Sequence, residues 1–202
     1  PIEIDDVPPL MIKAFLATED NRFYTHPGID PIGIIRAASI MIMTGERKQG
    51  ASTITQQVAR NFFLTREKTF IRKIKEIFLA WHIEQNLTKN EILTLYLNKI
   101  PLGYRSFGIG SAAQVYYGKT LNELTLAQMA VIAGLPKAPS ALNPIRSPKR
   151  AKARRHVVLL RMLDENYITQ AQFEDANTAP ITGVYPGAEI DLSAPYLAEM
   201  VR

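Results

Sequence analysis

Two glutamates far apart in the chain, each with distinctive neighbours, are the residues best suited to chemistry. The first stands in Glu19-Asp20-x-x-Phe23-x-x-His26-x-Gly28, the second in Arg72-Lys73-x-x-Glu76. Between them runs Gly50-x-Ser52-Thr53-Ile54-Thr55-Gln56-Gln57, with Arg60 and Asn61 one turn further on. A carboxylate beside an apolar ring such as Phe23 is partly desolvated, which raises its pKa from about 4.3 toward the range useful to a general base. His26 adds a polar, titratable group to the same stretch. Two cations on one helix face, Arg72 and Lys73, suit a diphosphate, because charge-assisted bonds to phosphate are strong. Beside them Glu76 can orient the cations, assist a leaving group or hold a divalent ion. A glycine followed by Ser52 and Thr53 at a helix start can offer N–H groups and hydroxyls to an anion. An enzyme that forms a bond at a sugar attached to a pyrophosphate needs this set of parts.

Each part also has a plainer reading. An acidic pair at a helix end is usually solvated, and Asp20 can instead pair with a nearby cation. Arg72 and Glu76 can form an ordinary surface pair worth about 0.3–0.5 kcal/mol. The Ser52–Thr53 hydroxyls can simply cap a helix. A fourth block, Glu91-Ile92-Leu93-x-x-Tyr96-Leu97-Asn98, reads as fold support, with Tyr96 and Asn98 satisfying backbone groups. The chain holds no Cys and no His/Asp cluster at metal-ligand spacing, so a tightly bound protein-only metal is not expected. Mg²⁺ or Mn²⁺ bridging diphosphate oxygens and one carboxylate is compatible with these residues.

The elements that must position these groups are mostly helical. Leu10 to about Asn21 reads as a helix ending at the first block, and Pro31 opens an apolar run from Ile32 to Met43. That run is too short to span a bilayer, which takes about 20 residues; it suits a buried helix or a segment dipping into a membrane leaflet. Ser52–Asn61 suits a helix, and Glu67–Gln85 a longer one. On the latter Phe70, Ile74, Ile77 and Trp81 recur at helical spacing, widened by Ile71 and Phe78. Arg72 and Glu76 then point roughly 180° from that stripe, with Lys73 on its flank. Thr88-x-x-Glu91 is a capping box opening the next helix, through Tyr96. Further helices are expected over Thr125–Leu135, Pro148–Glu165 and Thr169–Ala176, and the Gly/Pro-rich stretch Ala179–Pro195 reads as a linker. Gly103, Gly108, Gly110 and Gly118 suit tight turns and close packing.

At 202 residues and 47% hydrophobic, the chain fits one domain with a sizeable core. A net charge of +5 favours anionic partners. Seven Lys/Arg and no acid fall between Arg146 and Arg161, a run usually read as a solvated helix face. Aromatics for base stacking are not interleaved there, so nucleic acid is not an expected partner. The chain begins at Pro1 with no signal peptide, and reads as a piece of a longer protein.

In order and spacing the four blocks resemble the peptidoglycan glycosyltransferases of glycosyltransferase family 51, found alone or as the front half of class A penicillin-binding proteins. Gly108–Lys119 and Leu124–Ser140 look like that family too, so the resemblance covers about Glu3 to Ala176. Thr94, where many relatives carry Glu, and Arg60, where Lys is common, depart from the pattern. The resemblance implies a mainly α, lysozyme-like fold over 1–177, with an α-rich head lobe and a small jaw lobe beside the membrane, about 31–66. It implies that residues 178–202 lead toward a missing domain, a transpeptidase. It further implies that lipid II is polymerised on the outer, periplasmic face of the bacterial inner membrane, with the apolar segment 32–43 touching lipid. Glu19 then matches the general base and Glu76 the second glutamate, at the donor pyrophosphate. Arg72, Lys73, Arg60, Thr53 and Gln57 match donor-site contacts, while Asp20, Phe23 and His26 shape the site. Gly50, Ser52, Gln56 and Asn61 fall in the same substrate-binding blocks.

Two rival readings remain at this level. A glycan-cleaving, lysozyme-like enzyme would also be α-rich with a catalytic Glu, but would not need Arg72, Lys73 and Arg60. A basic module for polyanions or membranes, built on the helix after Pro148, would bind in a salt-dependent way and ignore lipid II.

Overall fold

The computed structural model describes residues 2–45, 52–64 and 69–183. Its helices are α1 (Pro9–Glu19), α2 (Pro31–Thr44), α3 (Ile54–Phe63), α4 (Phe70–Asn86) and α5 (Lys89–Lys99), followed by α6 (Ile109–Tyr117), α7 (Leu126–Gly134), α8 (Pro148–Asp164) and α9 (Gln170–Thr178). Between α5 and α6 the strands β1 (Pro101–Gly103) and β2 (Ser106–Phe107) form an antiparallel hairpin. The mainly α, lysozyme-like class expected from the sequence holds. The hairpin and α6 are elements that periodicity had not marked.

Threonine starts most of the helices. Thr53, Thr88, Thr125 and Thr169 each accept from the backbone N–H three residues on, and Gln56, Glu91, Gln128 and Gln172 return the bond. These reciprocal caps satisfy two orphan donors at each helix start. The sequence reading used this signature only at Thr88, although the same T-x-x-E/Q pattern stands at the other three.

The core is built around α1 and α7, which pack on each other, and α8, which packs on both. Met11, Ala14, Phe15, Leu16 and Ala17 bury most of the α1 circumference. Ala127, Ala130, Ala133 and Gly134 make α7 thin enough for close approach on several sides. A second packing group joins α3 to α4 and α5.

Helix α4 inverts the usual rule that the apolar stripe faces the core. Phe70 is 82% exposed, and Ile71, Ile74, Phe78 and Trp81 are exposed as well. The buried residues of α4 are Glu76, Ala80 and Ile83, with Glu76 at 0%. Ile35, Ile42 and Met43 on α2 also lie exposed, as does Phe63 at the end of α3. Among the described residues, no helix is long and apolar enough to cross a membrane.

Candidate active site

Glu19 is the last residue of α1, a position fixed by the core around that helix. Its side chain is 15% exposed and lines a cleft with Asp20, Asn21, Arg36, Ser52 and Thr53. Burial pushes its pKa above the ordinary glutamate value, opposed first by the bond from Gln57 and then by Arg154, Arg161 and Arg60. The sequence expectation of a raised carboxyl is therefore met. Gln57 Nε2 donates to Glu19 Oε2 at 3.0 Å, and an Arg154 terminal nitrogen stands 3.9 Å from Oε1.

Asp20 lines the same cleft and is held by partners of its own. His26 Nε2 donates to both its oxygens, at 2.9 and 3.0 Å, and Ile54 N donates to Oδ2 at 3.0 Å. His26 Nδ1 accepts from Gly28 N, which assigns the proton to Nε2. The anion at the start of α3 is thus the protein's own Asp20, favoured there by the N-terminal dipole. Asp20 does pair structurally, through a histidine and a backbone N–H.

Phe23 is fully buried, edge-on to His26. Lys89 Nζ sits 4.6 Å above its ring and donates to His26 O and Glu84 Oε1. Gly28 closes this turn at φ +87, and a Cβ there would meet Ala80 O and Glu84 Cγ at 3.0 Å. A side chain at that position would be strained both by backbone and by space.

On the inward face of α4, Lys73 Nζ donates to Glu76 Oε1 at 2.6 Å, Ser52 Oγ at 3.0 Å and Gln56 Oε1 at 3.3 Å. Lys73 keeps 40% of its side chain exposed while Glu76 has 1%. The ion pair to Glu76 is therefore made by Lys73 at i,i+3, and the i,i+4 pair from Arg72 does not form. Arg72 is half-buried, with no partner for Nε among the described residues. Glu76 Oε2 is likewise buried and unpartnered among them. Glu76 Oε2 is the carboxylate oxygen here that could help hold Mg²⁺ or Mn²⁺. The described residues contain no group of three or more His/Cys/Asp/Glu placed to hold a metal.

The structure thus brings together Glu19, Asp20, Phe23, His26, Ser52, Thr53, Gln56, Gln57, Lys73 and Glu76. Thr53 and Gln56 are committed to the α3 cap, and Thr53 Oγ1 donates to Gly28 O at 2.6 Å. Arg60 acts on Glu19 electrostatically. Asn61 lies exposed near the far end of α3, with no bond toward the cleft. Gly50 falls outside the described residues, as does most of the expected linker. Asn98 supports the fold as expected, exchanging bonds with the Ile2 backbone. Tyr96 does not follow the expectation for it: its hydroxyl is buried without a partner among the described residues, near enough to Glu19 to feel its charge.

Sequence reasoning missed Arg154 and Arg161, which were folded into a solvated basic face. Both turn inward on α8: Arg154 Nε donates to Gly134 O at 3.2 Å and Arg161 donates to Thr18 O at 2.6 Å. Their signal was available, since Arg154, Val158 and Arg161 share one face at spacings of four and three.

The family model described as "Transglycosylase" matches residues 1–163. The chain is 65% identical to penicillin-binding protein 1A of Escherichia coli over 202 residues, covering 100% of this chain and 24% of that one. It is 60% identical to penicillin-binding protein 1A of Haemophilus influenzae, again over 100% of this chain and 24% of that one. The crystal structure of penicillin-binding protein 1A from Haemophilus influenzae superposes with TM-score 0.57 and 38% identity, over 100% of this chain and 20% of that one. The chain therefore spans about a quarter of the length of the curated relatives it matches.

Proposed function

The chain belongs to the transglycosylase family, and on that premise we propose that it is a peptidoglycan glycosyltransferase that polymerises lipid II, with Glu19 as general base. The observation that carries this reading is a carboxylate at the end of α1 whose pKa burial raises, in one cleft with Ser52 and, through Ser52, with the Lys73–Glu76 pair. Glu19 takes the proton from the 4-hydroxyl of the acceptor's N-acetylglucosamine. That oxygen bonds to the anomeric carbon of the growing chain's terminal sugar as the carbon–oxygen bond to pyrophosphate breaks. The configuration inverts from α to β, undecaprenyl pyrophosphate leaves with the electron pair, and Glu19 releases its proton to solvent.

Negative charge grows on the leaving pyrophosphate, so cations fixed beforehand stabilise the transition state more than the ground state. Lys73, held by Glu76, Ser52 and Gln56, is such a cation; Arg72 and Arg60 add to it. A Mg²⁺ or Mn²⁺ bound at Glu76 would supply further charge neutralisation. A cleaving enzyme, whose scissile bond carries no phosphate, has no use for this cluster.

The exposed apolar surfaces of α2 and α4 support contact with lipid, as large apolar patches mark interaction sites. The site would then face the outer, periplasmic side of the inner membrane. The length of the relatives supports a parent in which residues 1–177 form the transferase and the chain after them leads to a linked transpeptidase. The test is a gel assay of labelled lipid II with the chain in detergent. The wild type should give a glycan ladder, and Glu19→Gln should lose about 10²–10⁴ in rate. A near-normal ladder from Glu19→Gln would reject the base assignment. Absence of a ladder from the wild type, with moenomycin still bound, would point to a missing anchor; no binding either would sink the reading.

A further inference from the structure

The two oxygens of Glu19 are treated differently by the fold. Oε2 accepts a hydrogen bond from Gln57 at 3.0 Å, while Oε1 has a guanidinium nitrogen of Arg154 at 3.9 Å. The second distance is too long for a hydrogen bond but short for a charge contact. Oε1 is thus held beside a positive charge without having that position filled by a donor. This is what a buried base requires. Burial raises the carboxyl's pKa and a nearby cation opposes that rise, whereas a direct arginine bond would occupy the oxygen that must receive the proton.

Arg154 is itself anchored. Its side chain is 10% exposed, and its Nε donates to the carbonyl of Gly134, the last residue of α7, at 3.2 Å. Unpaired carbonyls at a helix C-terminus favour a cation. Gly134 also leaves room for the guanidinium stem. A Cβ built on Gly134 would come within 2.8 Å of Arg154 Cγ and 3.5 Å of Val158 Cγ2. The absence of a side chain at 134 therefore lets Arg154 lie here, and Arg154 contributes to the field at Glu19.

We propose that Arg154, seated on Gly134, is a positioning residue that keeps Oε1 of Glu19 ionised and open to the substrate proton. The inference rests on the reading of Glu19 as the base. Among the described residues, the other groups acting on or beside Glu19 are Gln57 and Arg60 from α3, Arg161 from α8 and Tyr96 from α5, with Asp20 and Arg36 lining the same cleft. Arg161 feels Arg36 and Asp164 as well. Among the described residues, Arg154 is the cation in direct ion-pair range of the carboxylate.

Two substitutions reach the same contact from opposite sides. Arg154→Gln removes the charge; Gly134→Ala keeps every charge and pushes the guanidinium stem aside. Each should move the acid limb of the rate profile to higher pH, because without the nearby cation burial raises the Glu19 pKa further. On the acid side, Arg154→Gln should lose about tenfold against the wild type, with little loss at the alkaline plateau. Gly134→Ala should lose less in the same direction, and Arg154→Lys should recover part of the loss. A packing role alone would lower rate or melting temperature uniformly and leave the limb in place; that result overturns the proposal. Carbon-13 titration of the Glu19 carboxyl separates the two layers of the argument. If its midpoint fails to rise in Arg154→Gln, Arg154 does not act on it. If the midpoint rises but the rate profile does not follow, Arg154 acts as stated and the base reading is what fails.

Discussion

Helices α4 and α8 are both 17 residues long, both rich in Lys and Arg, and they resolve their mixed composition in opposite ways. α8 buries Val158, Leu159 and Met162 and exposes Lys149, Arg150 and Lys152, while sending Arg154, Arg155 and Arg161 inward to defined acceptors. Arg155, 1% exposed, closes the end of α9 by donating to the carbonyls of Asn177 and Ala179. α4 buries Glu76 and points its aromatic stripe outward. The difference lies in what each helix meets. α8 packs on α1 and α7, whose surfaces are apolar; α4 packs on α3, whose facing residues include Gln56 and, at its cap, Ser52 and Thr53. A buried charge needs partners, and α3 supplies them only to the polar side of α4.

The largest effect that would sharpen this contrast falls on the inward face of α4. Lys73→Met should cost about 10²–10³ in polymerisation rate, or ~2.7–4 kcal/mol in the barrier, if Lys73 stabilises departing pyrophosphate. A rate close to wild type, measured on the lipid II gel, would return Lys73 to a structural role. Next comes the core side of α8. Leu159→Ala should destabilise by about 2–5 kcal/mol in a urea titration, since Leu159 is fully buried beside α1 and α7. A smaller signal comes from acidity. Because burial raises Glu19, its basic form should disappear on acidification at a higher pH than for a free glutamate. The rate should then fall as pH drops through that raised value; a limb at the ordinary glutamate position would contradict it. Smallest of all, Phe78→Ser with Trp81→Ser should change folding stability by no more than ~0.5 kcal/mol per site, as for other exposed positions. The same pair should weaken sedimentation with anionic vesicles. A stability loss of core size would mean that the stripe is packed after all.

Some of this arrangement was readable in advance because it is local. Capping boxes depend on residues three apart, so Thr88–Glu91 announced α5, and Thr125–Gln128 would have announced α7 by the same reasoning. The apolar pattern carried α1 to about Asn21, slightly past its observed end at Glu19. The plainer reading of an i,i+4 pair between Arg72 and Glu76 is not met, because Glu76 bonds Lys73, whose Nζ also has Ser52 and Gln56 within reach. The Tyr96 hydroxyl could not be anticipated either, since its surroundings depend on α3 packing on α5 and on Phe15 of α1, whose ring stands edge-on to Tyr96 at 6.0 Å.

The sequence by itself determined the helix starts, the kinds of group available and the resemblance of its ordered blocks to a family, because these depend on residue type and short spacing. The tertiary structure alone decided that Asp20 caps α3, that α4 turns its charged side inward and that Arg154 reaches Glu19 across 135 positions of chain. The reason is physical: whether a charge is solvated or buried depends on the field and partners around it, and those come from helices distant in sequence.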